Sequence, residues 1–106
     1  MNGVASIIDR LYEVVVHRKG EMSDQSYTAA LFASGRVRIA QKLGEEALET
    51  ALATLTEGSE RVVYESADLL YHLTVLWADV GIHPKEVWCE LEKRFGRSGL
   101  QKRPEK

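Results

Sequence analysis

Cysteine is almost missing from this chain. Among 106 residues there is one, Cys89, so no internal disulfide can form, and a reducing compartment suits the sequence. Proline is equally scarce, limited to Pro84 and Pro104. An excess of positive charge is absent too. The formal net charge is -2 and the pI is near 5.9, which argues against a nucleic-acid partner. The start, Met1-Asn2-Gly3-Val4-Ala5-Ser6, has no basic region followed by an apolar run, so no secretion signal is expected. The most apolar stretch, Leu69 to Val80, is short and contains His72 and Asp79, which excludes a membrane span there. A cytoplasmic protein is the expectation. There is no Gly-rich phosphate loop. His17, His72 and His83 show no zinc spacing with Cys89.

What is abundant is aliphatic residues and alanine, with glycines at breaks. This composition favours an all-α fold in one domain spanning 1–106, a bundle of four to five helices around a central antiparallel helical hairpin. Helical spacing runs from Val4 to Arg18 and closes at Lys19-Gly20. A short helix follows Ser26, with Asp24 or Ser26 as its cap. Long helices are predicted over Arg36–Thr56 and about Glu60–Val80, with Gly58 and Ser59 between them. Pro84 fits the first turn of a last helix ending near Phe95. The Arg36–Thr56 helix carries one wide apolar arc, including Ile39, Leu43, Leu48, Leu52 and Leu55. The next helix is apolar nearly all round, and such a helix is normally buried on several sides. In so short a chain a second copy is the simplest cover, so a homodimer with two-fold symmetry is expected. Gly44, inside the long helix, is read most simply as a point of close helix packing, the alternative being a helix that merely tolerates it.

The strongest chemical signal is acidic. Glu46 and Glu49 are three residues apart, as are Glu65 and Asp68, so each pair shares a helix face. In an antiparallel hairpin, residues at one level have position numbers with a constant total. Glu46 with Asp68 and Glu49 with Glu65 satisfy this, and the shared total centres the turn on residue 57. Four carboxylates then converge. Two like charges ~4 Å apart repel by roughly 4 kcal/mol at an effective dielectric near 20, against a whole-domain stability of about 5–15 kcal/mol. Lys42 and His72 stand at the next level and cannot neutralise four acids. A hard divalent cation can, and all-oxygen ligands favour Mg²⁺, with Mn²⁺ as a substitute. Mg²⁺ usually shares its sphere with phosphates, so a polyphosphate substrate is expected, with Arg36, Arg38 and Lys42 near the acidic face. Lys19, Arg94 and Arg97 are more distant candidates.

The run Gly44-Glu45-Glu46-Ala47-Leu48-Glu49, followed by Glu65-Ser66-Ala67-Asp68, resembles the signature of the all-α nucleoside-triphosphate pyrophosphohydrolases. Flanking segments narrow the resemblance to the phosphoribosyl-ATP pyrophosphohydrolase family. They are Ser26-Tyr27-Thr28 with Leu31-Phe32, Ile39-Ala40-Gln41-Lys42-Leu43-Gly44, Asp68-Leu69-Leu70-Tyr71-His72 and Gly96-Arg97-Ser98-Gly99-Leu100. The resemblance implies Mg²⁺-dependent cleavage of phosphoribosyl-ATP to phosphoribosyl-AMP and pyrophosphate, the second step of histidine biosynthesis. It carries over Glu46, Glu49, Glu65 and Asp68 as metal ligands and Glu45 as an extra acid. The last residues, from Gln101 to Lys106, depart from the acidic-then-basic ending expected of the family. With no room for a second domain, the stand-alone form of the enzyme is expected.

The mechanism expected is attack of water on a phosphorus, with Glu45 or Glu49 taking the proton. Lys42 and arginines, Arg36, Arg38 and Arg97 among them, would stabilise the leaving pyrophosphate. Tyr27 and Trp77 are open to either of two roles, stacking on a base or filling the core. Two rival readings stand beside this one. A housecleaning pyrophosphohydrolase would act on free or damaged nucleotides. A non-catalytic dimerisation or adaptor module would use the acids for a structural cation or a basic partner.

Overall fold

A computed structural model describes residues 4–21 and 26–95, and these residues hold five helices. They are α1 (Val4–Arg18), α2 (Tyr27–Ala33), α3 (Arg36–Thr56), α4 (Ser59–Val80) and α5 (Pro84–Phe95). The all-α expectation holds, and among the described residues there is no strand. Among the described residues no helix is long and apolar enough to cross a membrane.

Chain breaks fall where the sequence punctuates. Ser26 caps α2, its Oγ accepting from Ala29 N at 3.0 Å. Asp24, the other cap considered, lies outside the described residues. Glu57 and Gly58 alone separate α3 from α4, so the hairpin turns at the expected residue. Here the detail differs from expectation. Ser59 is already helical, and Gly58 precedes α4 without a side-chain cap. Gly81 ends α4 at φ 82°, the left-handed conformation that glycine adopts without strain, and this lets Ile82 N reach Trp77 O at 2.9 Å.

The hairpin of α3 and α4 is the spine, and α1 packs along α4. The core gathers at the end of the hairpin away from its turn. Val15, Leu31, Ile39, Val75 and Ala78 meet there, joined by Leu11, Tyr12, Phe32, Tyr71 and Leu76. Polar ties close the same end. Arg36 donates to Asp79 Oδ2 at 2.6 Å and to Asp79 O at 3.2 Å. Lys19 Nζ donates to Ala78 O at 3.0 Å. Trp77 meets Trp88 edge to face, with ring centroids 6.0 Å apart, so its role is packing between α4 and α5.

The turn end of the hairpin is bare. The wide apolar arc of α3 faces outward over most of its length, with Leu48, Leu52 and Leu55 exposed, Leu55 at 78%. Val63 and Tyr64 on α4 are exposed as well. The buried residues of α3 are instead Ile39, Glu46 and Ala53, which recur every seven residues. That is the spacing of a packing seam between helices, and its middle position holds an acid. At Gly44 a Cβ would meet nothing within 4 Å, so none of the described helices of the protomer packs closely there.

Ile39 is fully buried in this core. Ile39→Ala is expected to destabilise the chain by about 2–5 kcal/mol through lost burial and the cavity left behind. Urea unfolding of parent and variant measures it.

Candidate metal centre

Glu46 and Glu65 come from opposite helices and both are buried, at 6% and 4% exposure. Thr50 ties the two helices at this level. Its Oγ1 lies 2.8 Å from Glu46 O, one turn back on α3, and 3.1 Å from Glu65 O on α4. The hydroxyl therefore sets the approach of the two backbones behind the acids. Carboxylate oxygens of Glu46, Glu49 and Glu65 lie within 4.8 Å of one another. Glu46, Asp68 and His72 form a second such group, so Glu46 links all four predicted acids. The structure thus brings Glu46, Glu49, Glu65 and Asp68 together as the hairpin arithmetic requires.

Partners satisfy the cluster only in part. Arg61 reaches Glu65 Oε2 at 2.8 Å, and Lys42 Nζ stands 3.8 Å from Glu46 Oε2. The other oxygen of each buried acid, Glu46 Oε1 and Glu65 Oε1, has no hydrogen-bond partner. A buried polar atom left unpaired costs about 1–3 kcal/mol, and more when charged. Burial, first, and then the neighbouring Asp68 and Glu49 raise the Glu46 carboxyl above its ordinary value. Two orphaned carboxylate oxygens amid further carboxylates could hold a hard cation, and their oxygen donors fit one.

The remaining predicted residues fall into three groups. Lys42 sits at the rim, between Glu45 Oε1 at 3.4 Å and Glu46. Glu45 is exposed, belongs to neither carboxylate group, and contacts Gln41 and Lys42. The Gln41 amide, first, holds its carboxyl below the usual value, with Lys42 acting in the same direction. Arg38 is exposed on the same flank and adds to the field on Glu45. Arg36, by contrast, is engaged by Asp79 at the core end of the hairpin, and the acidic cluster does not hold it. Of the distant candidates, Lys19 is bound to Ala78 O and Arg94 to Glu90. Arg97 lies outside the described residues, with the rest of the Gly96–Leu100 segment.

Two residues at the site, Arg61 and Thr50, were given no role there from sequence. Arg61 pairs with Glu65 and lies over the Tyr64 ring, 4.6 Å from its centroid. Its spacing of four from Glu65 was the available signal. Thr50 is likewise four residues beyond Glu46. Tyr27 joins the site from α2, its hydroxyl 3.2 Å from His72 Nε2, and no local pattern announces that contact.

Folding raises the Glu46 carboxyl, so the folded chain binds its proton more tightly than the unfolded chain. Stability from this group is fully present below its ordinary value of 4.5 and is lost as pH rises through the folded value. Glu46→Gln removes that loss. In metal-free protein at pH 7 the variant is expected to gain on the order of 1 kcal/mol, or about 4–8 °C in melting temperature. Thermal melts of parent and variant across pH 4–8 check both the gain and its disappearance in acid.

Similarity to known proteins supplies the family. The family model described as phosphoribosyl-ATP pyrophosphohydrolase matches residues 8–95. A phosphoribosyl-ATP pyrophosphatase of Paramagnetospirillum magneticum is 56% identical over 99 residues, covering 93% of this chain and 91% of that protein. The Rhodospirillum rubrum protein of the same name is 56% identical, over 92% of this chain and 83% of the relative. Its namesake in Pyrobaculum calidifontis, 52% identical, covers 84% of this chain and 95% of its own length. The matched region contains both acidic pairs and all five helices except the first residues of α1, and the chain belongs to the phosphoribosyl-ATP pyrophosphohydrolase family.

Proposed function

We propose that this chain hydrolyses phosphoribosyl-ATP to phosphoribosyl-AMP and pyrophosphate with Mg²⁺, in histidine biosynthesis, as a single catalytic domain in the cytoplasm. Family membership and the names of the relatives support the reaction. The observation that carries the metal reading is the pair of unpartnered buried oxygens, Glu46 Oε1 and Glu65 Oε1, inside a four-acid cluster. Mn²⁺ would serve as a substitute.

Glu46, Glu49, Glu65 and Asp68 would hold the cation. When bound, it supplies charge withdrawal from the phosphoanhydride and a template for the substrate. Water attacks one phosphorus of the α–β anhydride, that bond breaks, and pyrophosphate leaves. Of the two candidate bases, Glu49 fits the proton transfer better. It belongs to the cluster and is solvent-accessible. Glu45 faces the flank, and the Gln41 amide stabilises its charged form, which weakens it as a base. Lys42, at the rim beside Glu46, is placed to stabilise the leaving pyrophosphate, and Arg38 adds positive charge to that side.

A homodimer completes the proposal. Leu48, Leu52 and Leu55 on α3 and Val63 on α4 leave the turn end of the hairpin apolar and exposed, a surface that a second copy would cover. Light scattering is expected to give twice the chain mass of 11.9 kDa. Leu52→Glu is expected to shift the population toward monomer. A parent chain that runs as a dilute monomer ends the dimer reading.

The activity is tested by incubation with phosphoribosyl-ATP and Mg²⁺, scoring pyrophosphate against single phosphate. Pyrophosphate is expected, with ordinary nucleoside triphosphates turned over far more slowly. Glu49→Gln and Asp68→Asn should each lower kcat by about 10²-fold or more, with circular dichroism unchanged. Folded variants that keep the parent rate would show the assignment to be wrong.

A further inference from the structure

We propose that His72, held by Tyr27, is a positioning residue for Asp68 and not itself a ligand, an inference that rests on the metal reading above. Distance alone leaves His72 eligible, since one of its ring nitrogens lies within 4.8 Å of carboxylate oxygens of Glu46 and Asp68. The hydrogen bonds decide otherwise. His72 Nδ1 is 2.9 Å from the backbone oxygen of Asp68, and a carbonyl oxygen can only accept. Nδ1 therefore carries a proton. The same N–H faces Asp68 Oδ1 at 3.5 Å, so one donor lies against both the main chain and the side chain of a single residue. That restricts how the Asp68 carboxylate can turn. In the neutral ring Nε2 is then an acceptor, and the Tyr27 hydroxyl donates to it at 3.2 Å. Both ring nitrogens are engaged, and neither has a lone pair to offer a cation.

The ring is also braced by packing. His72 is 3% exposed. Tyr71 meets it edge to face with centroids 4.9 Å apart, and Tyr27 does so at 6.0 Å. Tyr71 in turn hydrogen-bonds Thr28 through its hydroxyl. Two consecutive residues of α2, Tyr27 and Thr28, thus hold the α4 turn that carries Asp68. This gives the short α2 a task at the site: it braces the α4 acid that Thr50 does not tie to α3. Partners that orient metal-binding side chains typically change affinity by about 10–100-fold when removed.

The test is Mn²⁺ binding to the full chain by electron paramagnetic resonance, alongside metal-free melting, for the parent, Tyr27→Phe, His72→Phe and His72→Asn. His72→Phe is expected to weaken Mn²⁺ binding about tenfold or more, and Tyr27→Phe about threefold or more. His72→Asn can place an amide N–H where Nδ1–H stands, and it should recover affinity to within about threefold of the parent. A tie that only packs α2 onto α4 lowers the melting temperature and leaves Mn²⁺ affinity alone. Affinities of Tyr27→Phe and His72→Phe within about twofold of the parent, whatever their melting temperatures, overturn the proposal. Tyr27→Phe, which removes a single oxygen, decides the matter if His72→Phe does not fold. A parent that binds Mn²⁺ but does not hydrolyse phosphoribosyl-ATP removes the proposed activity and leaves the positioning role to the affinities. A parent that binds no Mn²⁺ overturns both the metal reading and this one.

Discussion

Repulsion between carboxylates buried in the seam of two helices is the constraint around which this protein is organised. Ile39, Glu46 and Ala53 are buried along α3 at seven-residue intervals, and the middle one is an acid where an aliphatic side chain would otherwise stabilise the hairpin. Glu65 does the same from α4. Arg61 and Lys42 each approach one of the two acids and leave an oxygen of each without a partner. A metal-free seam of this kind works against folding. A divalent cation between its oxygens would reverse that effect, and ligand binding and stability would then be linked.

The rest of the architecture follows from holding that seam in place. The apolar core lies at the far end of the hairpin, where Val15, Leu31, Ile39, Val75 and Ala78 meet. The Arg36–Asp79 and Lys19–Ala78 contacts close that end. The acids therefore stand at a border, with a packed region on one side and an exposed apolar hairpin tip on the other. Thr50 fixes the spacing of the two backbones at that border with one hydroxyl. A site placed deeper would bury the acids beyond reach of a triphosphate. One placed nearer the tip would lose the rigid backing that aligns its oxygens.

Much of this could be read from the residues because the helices are long and cleanly punctuated. Gly20, Gly58, Gly81 and Pro84 mark the breaks, and the two-residue turn at Glu57-Gly58 makes the level of each acid a matter of counting. The direction of the α3 apolar arc was not legible. Both the arc and the seam have helical periodicity, and periodicity does not say which face a neighbour covers. A charged residue in the seam hides it further. Gly44 is similar, since a glycine inside a helix suggests a close neighbour without naming it, and none lies among the described residues of the protomer. Arg36 looked like a substrate contact from its place at the start of the acidic helix. Its partner, Asp79, is distant in sequence, and only the antiparallel fold brings the two together. The Tyr27–His72 contact was hidden for the same reason.

The most direct test of the account is a Mn²⁺ titration of the full chain, followed by electron paramagnetic resonance and by melting temperature together. The account predicts saturable binding that raises the melting temperature, with both effects lost when Glu46 and Glu65 are replaced together by glutamine. Saturable binding that survives this double replacement, or no binding by the parent chain, would contradict it.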